Sequence, residues 1–211
     1  MTNPAEIFQT HRENYRQQIA DTDLFSVKDI LGLKQKEDRF FLPFFGQEWG
    51  ICRDGTIQDE SGKNPDYAMS VILSNYLILC PDQIYEDMLW SAFKDFKRTA
   101  QFLNMNYFAS ATENVIASAL EGKGDKAEDI CRKSGGKRAD ESFAYDLIMR
   151  FDALPRISLL LLFSEGDEDF PAYGTVLFPK HAEYYLDPES LAMTSACLAG
   201  KIKETAKLMH L

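Results

Sequence analysis

The sequence lacks the features that mark several common classes of protein. Its 23 basic residues are outnumbered by 33 acidic ones, which gives a formal net charge of −10. This charge opposes the neutralisation of phosphates, so neither nucleic acid nor an anionic membrane is expected as a partner. The longest apolar runs fall short of the ~20 residues that span a bilayer, and the start has no secretory signal pattern. These absences predict a cytoplasmic protein.

Familiar catalytic and metal-binding motifs are also missing. The four cysteines lie far apart without a C-x-x-C pair, so we expect reduced, buried thiols. The stretch "SGGKRAD", residues 134–140, does not match a phosphate-binding loop, because Cys131 and Arg138 replace two required residue types. There is no G-x-S-x-G elbow, and the three histidines lie in no supporting motif. No cofactor is indicated.

The residues that are present can form a packed core. Hydrophobic residues make up 45% of the 211 residues, and 15 residues are phenylalanine. This composition is too apolar for a disordered chain and sufficient for the interior of one domain. We therefore expect residues 1–211 to form a single domain.

Several segments have apolar residues at helical spacing, often after a capping residue. The stretch 66–80 is apolar on nearly all sides, which predicts a buried helix that ends before Pro81. Ser26 is predicted to cap a short helix that Gly32 ends. The starts of the predicted helices lie near Pro4, Ser26, Asp66, Phe93, Ser110, Gly124 and Asp187.

Other segments have the patterns of antiparallel strands. Asp54-Gly55 lies between two apolar stretches, which predicts a hairpin. The alternation over 143–151 and the continuous apolar run 157–163 predict two more strands, and 174–178 is the expected partner of the second. Separate hairpins and helices, without regular βαβ units, predict an α+β fold in which antiparallel hairpins pack with several helices.

The most distinctive stretch is "LLLLFSEGDEDFPAYGTVLF", residues 159–178, where an aliphatic run meets a strongly acidic turn at 165–169. Clustered carboxylates are hard oxygen ligands that suit Mg²⁺ or Ca²⁺, although the spacing is not that of an EF-hand. Charges at a hairpin tip also keep two apolar strands soluble, and the turn needs Gly and Pro in any case. Both interpretations stay open.

A ligand pocket is expected between the sheet and the helices, with charged residues at its rim. His181 follows the last predicted strand and is predicted to approach the acidic turn. A cation such as Arg156 near the turn would relieve the repulsion among its carboxylates. The candidate ligand-binding residues are Asp167, Glu168, Asp169, Arg156, His181, Trp90 and Lys94, and the candidate metal ligands are Asp167 and Asp169.

Several stretches together resemble one known family. "FDALPRISLLLLFSEGDEDFPAYGTVLF" followed by "AEYYLDPESLAM" is similar to the C-terminal half of domain of unknown function family 3786, which occurs mainly in anaerobic bacteria and archaea. "FFGQEWGI", "ILSNYLI" and "WSAFKDFK" resemble its earlier blocks in the same order. The resemblance implies no activity, cofactor or catalytic residue. Some members are joined to iron–sulfur modules of the corrinoid-pathway type, which implies a setting in anaerobic metabolism.

Three functions are compatible with the sequence. The leading expectation is a small-molecule or cofactor binding protein, or an accessory protein, of anaerobic metabolism. The second is a divalent-metal-dependent enzyme that uses the acidic turn at 165–169 to polarise a phosphate or carbonyl oxygen. The third, which depends on the family resemblance, is a partner-binding module for an iron–sulfur or corrinoid protein.

Overall fold

The computed structural model describes residues 4–96 and 105–209, with the side chains of 4–7 and 105–106 left aside. The helices are α1 Pro4–Ala20, α2 Leu24–Leu31, α3 Tyr67–Ile78, α4 Met105–Phe108, α5 Asn114–Leu120, α6 Lys126–Lys133 and α7 Pro188–Leu208. The strands are β1 Lys34–Lys36, β2 Arg39–Phe44, β3 Gln47–Ile51, β4 Ile57–Gln58, β5 Trp90–Ala92, β6 Lys137–Arg138, β7 Leu147–Leu154, β8 Ile157–Ser164 and β9 Tyr173–Pro179.

The strands form two antiparallel sheets. The first has the order β1-β2-β3-β4, and the second has the order β5-β9-β8-β7-β6. Gly55, at a φ of 83°, turns the chain between β3 and β4, which confirms the hairpin predicted at Asp54-Gly55. The predicted pairing of 157–163 with 174–178 is also confirmed, since Leu162 of β8 lies opposite Thr175 of β9.

One hydrophobic core runs through both sheets and the helices, and it contains Leu42 of the first sheet and Phe178 of the second. Helix α5 packs directly on β9, where a methyl group on Gly174 would lie 2.7 Å from Ile116 Cγ2. Strand β8 is buried along nearly its whole length, as its unbroken apolar run predicts. The predicted α+β class is confirmed.

The start of helix α2 differs from the prediction, while the buried helix is confirmed. Helix α2 starts at Leu24 and not after Ser26, because the Asp23 carboxylate accepts a hydrogen bond from the Phe25 N–H. Gly32 ends this helix in the left-handed conformation, as predicted. Helix α3 is capped by Asp66 and buried. The described helices include none that is long and apolar enough to cross a membrane.

The helix predicted from Phe93 is wrong in its first part. Trp90–Ala92 form strand β5, which pairs with β9, and Phe93–Asp95 form a single 3₁₀ turn. The pairing satisfies the edge of β9, and Phe93 then packs near Phe178 with ring centroids 6.0 Å apart. The rest of that predicted helix, 97–104, lies outside the described residues.

The predicted cap at Ser110 is also wrong, because the chain stays helical from α4 into α5 through a π-helical turn at Ala109–Glu113. This wider turn places Thr112 inside the protein, where its hydroxyl lies 3.0 Å from the Ser195 hydroxyl of α7.

Strand β7 begins at Leu147 and not at Phe143, since Tyr145 packs across the outer face of the second sheet.

Candidate functional site

The acidic turn between β8 and β9 is held by one of its own carboxylates. Asp167 Oδ1 accepts hydrogen bonds from the Asp169 N–H at 2.8 Å and the Phe170 N–H at 2.7 Å. The Asp167 N–H in turn donates to the Phe170 carbonyl oxygen at 2.8 Å. Aspartate side chains commonly bond the backbone in this way at turns. Asp167 therefore has a structural role in the turn. The sequence alone could not distinguish this role from metal binding.

A second carboxylate of the turn connects it to a neighbouring loop. Glu165 Oε1 accepts a hydrogen bond from the Gly122 N–H at 2.8 Å, and the Glu165 N–H donates to Asp146 Oδ2 at the same distance. Glu168 and Asp169 remain exposed at the tip. Two of the four acidic side chains thus fix the local backbone, and the other two face solvent.

The described residues do not bring a metal-binding set together. Among them, no group of three or more His, Cys, Asp or Glu side chains is placed to hold a metal ion. A cleft of about 440 Å³ adjoins the turn, and its lining includes Glu165, Asp146 and Glu128. Hydrogen bonds from Arg132 and Arg138 lower the pKa of Glu128, so this carboxylate is already neutralised by protein cations.

The four cysteines are free thiols. Cys131 is buried, and the other three are partly buried. Burial raises the pKa of Cys131 and that of Cys197 to about 12 in each case. Both thiols are therefore protonated near neutral pH and are poor nucleophiles.

Arg156 stabilises the end of helix α2. Its Nε donates to the Ile30 carbonyl oxygen at 2.9 Å, and its Nη2 donates to the Asp29 carbonyl oxygen at 2.7 Å. These carbonyls belong to the last turn of α2, where a cation is favoured by the helix dipole. The guanidinium is thus engaged away from the acidic turn.

His181 is buried, with 3% of its surface exposed, and both ring nitrogens contact backbone carbonyls. Nδ1 lies 2.8 Å from the Asp87 oxygen and Nε2 lies 2.7 Å from the Arg156 oxygen. The expectation that it approaches the acidic turn is wrong. His181 and Arg156 lie at one end of β8 and β9, and the acidic turn lies at the other end. The eight residues of β8 separate the two ends by about 25 Å.

The remaining two candidates also lie away from the acidic turn. Trp90 packs on the outer face of the second sheet beside Leu160, and its Nε1 donates to Glu141 Oε1 at 2.9 Å. Lys94 is exposed in the 3₁₀ turn after β5. The structure therefore groups Arg156 with His181, separates both from the acidic turn, and gives Trp90 a packing role.

Arg156 and His181 belong to a buried network that includes two tyrosines. The Tyr76 hydroxyl donates to the Leu31 carbonyl oxygen at 2.8 Å and accepts from the Arg156 N–H at 3.2 Å. Burial raises the pKa of Tyr76, which keeps its hydroxyl a donor. Tyr185 is fully buried, and its ring centroid lies 6.1 Å from that of Tyr76.

The network supports an exposed segment between α3 and β5, which we call the strap, residues 79–89. It contains no helix or strand, yet its backbone is held at several points. Tyr185 Oη accepts from the Tyr85 N–H at 2.9 Å, and the Lys180 N–H donates to the Leu89 oxygen at 2.8 Å. The rings of Tyr85 and Tyr184 stack at 4.0 Å. Fixed irregular loops of this kind often carry binding residues.

Apolar side chains of the strap face solvent. Its large exposed apolar residues are Leu79, Ile84, Met88 and Leu89, and the neighbouring Tyr184 is exposed as well. The most exposed of them is Leu89, at 63%. Its acidic members Asp82, Glu86 and Asp87 are exposed beside them. This surface was not predicted from the sequence. The available signal was an apolar and acidic stretch after Pro81 that has neither helical nor strand periodicity.

The fold and the strap together define an α+β protein that presents a fixed, irregular apolar loop to solvent. The chain belongs to the family described as Domain of unknown function (DUF3786), whose model matches residues 23–201. This match confirms the resemblance found in the sequence motifs. None of the curated proteins and none of the solved structures matches the chain.

Proposed function

We propose that this protein is an accessory protein that binds another protein through the strap and Tyr184. The observation that carries the proposal is the exposure of apolar side chains on a backbone that buried residues hold in place. Apolar patches on the surface of a protein are typical of interaction sites when they are contiguous and rimmed by polar residues.

The fixed backbone favours binding because little conformational entropy is lost when a partner docks. His181 and Tyr185 restrain the strap from inside, and the stacked rings of Tyr85 and Tyr184 restrain it from the surface. Aromatic residues and methionine, here Tyr184 and Met88, are among the residue types enriched at protein interfaces. The surface therefore has both the composition and the rigidity of a docking site.

The other two functions expected from the sequence have less support. The metal-dependent enzyme needs free carboxylates at the acidic turn, but Asp167 and Glu165 bond the backbone there. The small-molecule pocket was expected to combine that turn with Arg156 and His181, which lie at the far end of the sheet. Both remain expectations, and the strap becomes the preferred site.

The proposal retains the cytoplasmic location that was expected from the sequence, with neither nucleic acid nor membrane as partner. The net charge of −10 supports the exclusion of nucleic acid and anionic membranes, because it disfavours contact with polyanions. An iron–sulfur or corrinoid protein of anaerobic metabolism is the partner class that the family resemblance suggests.

The test compares two exposed apolar sites. Wild type, the double variant Met88→Ser/Leu89→Ser and the control Phe170→Ser are used as affinity baits in an anaerobic extract of the organism that encodes the chain. Phe170 is a matched control because it is 71% exposed and lies at the acidic turn. Proteins captured by wild type and the control, but not by the double variant, are then purified and titrated.

The expected result is a purified partner that binds wild type and Phe170→Ser with equal affinity and the double variant at least about tenfold more weakly, a loss of about 1.4 kcal/mol. The proposal is wrong if the three baits capture the same proteins in the same amounts. It is also wrong if the Phe170→Ser control alone loses them.

A further inference from the structure

We infer that the partner presents a cationic segment, in which apolar side chains are flanked by Lys or Arg. This inference rests on the proposed function and adds the chemistry of the partner. Its basis is the distribution of charge around the strap.

The two segments that form the docking surface contain no Lys or Arg. Lys63 and Lys94 enclose a stretch of thirty residues without either type, and Lys180 and Lys201 enclose a second one of twenty. The first stretch includes the whole strap, and the second begins at His181 and contains Tyr184. The carboxylates within them therefore have no Lys or Arg from their own segments.

The carboxylates lie among the apolar side chains of the surface. Asp82, Glu86 and Asp87 are exposed on the strap, and Glu183 adjoins Tyr184. Two cations border these carboxylates. Arg156, which binds the end of α2, lies 3.5 Å from Glu86, and the exposed Lys180 bonds the Leu89 oxygen through its N–H. They offset only part of the negative charge of Asp82, Glu86, Asp87 and Glu183. Like charges around an interface exclude partners of the same sign and select those of the opposite sign.

The same charges exclude other occupants. A second copy of this chain would bring a second set of these carboxylates against the first, and the whole molecule carries a charge of −10. An anionic lipid surface would be repelled for the same reason. A protein segment with an apolar stripe and basic flanks complements both the apolar side chains and the carboxylates of the surface.

The test uses a phage-displayed library of random 16-residue peptides, selected on wild type after depletion on Met88→Ser/Leu89→Ser. Peptides that survive are synthesised and titrated against wild type and against Asp82→Asn/Glu86→Gln. These substitutions remove charge but preserve size, and the amide that replaces the Asp82 carboxylate keeps an oxygen for the bond from the Tyr85 hydroxyl. The matched control is Glu168→Gln/Asp169→Asn, which removes the same charge at the acidic turn.

We expect selected peptides with apolar residues and a net positive charge. Their dissociation constants should rise at least about fivefold in the Asp82→Asn/Glu86→Gln variant and with added salt, but less than about twofold in the control. Neutral or acidic peptides, or equal affinity for both variants, would overturn the inference and leave the proposed function standing. If no peptide depends on Met88 and Leu89, both are wrong. Self-association of wild type through the strap would also overturn the inference, because the occupant would be a second copy.

Discussion

The acidic turn and the strap lie at opposite ends of β8 and β9 and expose different kinds of side chain. In the turn, the carboxylates of Asp167 and Glu165 accept bonds from nearby backbone N–H groups. In the strap, the backbone is held mainly by buried residues from other elements, and the large apolar side chains are left facing solvent.

The difference shows that a concentration of charge in the sequence does not by itself mark a binding site. Two of the four carboxylates at the turn accept bonds from backbone N–H groups that need partners. The strap meets the same requirement mainly through Tyr185, His181 and the Lys180 N–H, with one further bond from the Leu89 N–H to Asp87 Oδ1 at 3.1 Å. Its large apolar side chains are thereby left exposed.

The largest effect is expected from His181→Ala. This variant removes the ring that contacts the Asp87 and Arg156 oxygens and leaves a cavity behind, while the Asp87 oxygen keeps only the longer bond from the residue 181 N–H at 3.3 Å. The free energy of unfolding should fall by about 2 to 4 kcal/mol. Urea denaturation measures the loss, and hydrogen exchange should show faster exchange of the strap amides while those of the acidic turn are unchanged.

Retention of full stability in His181→Ala would contradict the view that a buried network holds the strap. His181→Gln serves as the control, because its amide can donate to one of the two carbonyls. It should lose less stability than His181→Ala.

The second effect is expected from Met88→Ser/Leu89→Ser. These side chains are exposed, so the free energy of unfolding should change by no more than about 0.5 kcal/mol while partner affinity falls at least about tenfold. Thermal melting and calorimetric titration measure the two quantities. A stability loss as large as that of His181→Ala would mean that the strap side chains serve the fold and not a partner.

A smaller effect is expected from Asp167→Ala, which removes the acceptor of two backbone bonds in the acidic turn. The free energy of unfolding should fall by about 1 kcal/mol, and exchange at the Asp169 and Phe170 amides should become faster. Partner affinity should be unchanged. A loss of affinity without a loss of stability would reverse the contrast between the two regions.

The smallest effect is expected from divalent cations. Because Asp167 and Glu165 already bond the backbone, 1 mM Mg²⁺, Mn²⁺ or Ca²⁺ should leave the melting temperature of wild type unchanged. Scanning calorimetry with and without each cation measures this. A clear rise in melting temperature that Asp167→Asn removes would restore the metal-dependent enzyme as the better hypothesis.

Much of the fold could be predicted from the sequence because its signals are local. The continuous apolar run 157–163 predicted β8, and 174–178 was its expected partner β9. Asp54-Gly55 predicted a hairpin, and Asp66 and Pro81 marked the ends of α3. The errors arose where tertiary contacts override local pattern. The helix predicted from Phe93 begins instead as a 3₁₀ turn, because the chain enters it directly from strand β5, which pairs with the edge of β9.

The candidate residues were less predictable, since their roles depend on contacts that are distant in sequence. Arg156 bonds residues of α2 more than a hundred positions away, and His181 bonds Asp87 across a similar gap. Sequence proximity suggested that both approach the acidic turn, but the antiparallel pairing of β8 with β9 places them at the other end. The strap was missed because its side chains follow no regular period.

The most direct test of the strap as the functional surface is site-specific photo-cross-linking in an anaerobic extract of the source organism. A benzoylphenylalanine replaces Leu89 in one sample and Phe170 in the other, so that both probes lie on exposed loops of the same protein. We predict a discrete heterologous cross-linked species from position 89 and none from position 170. The same species from both positions, or a species from position 170 alone, would contradict the account.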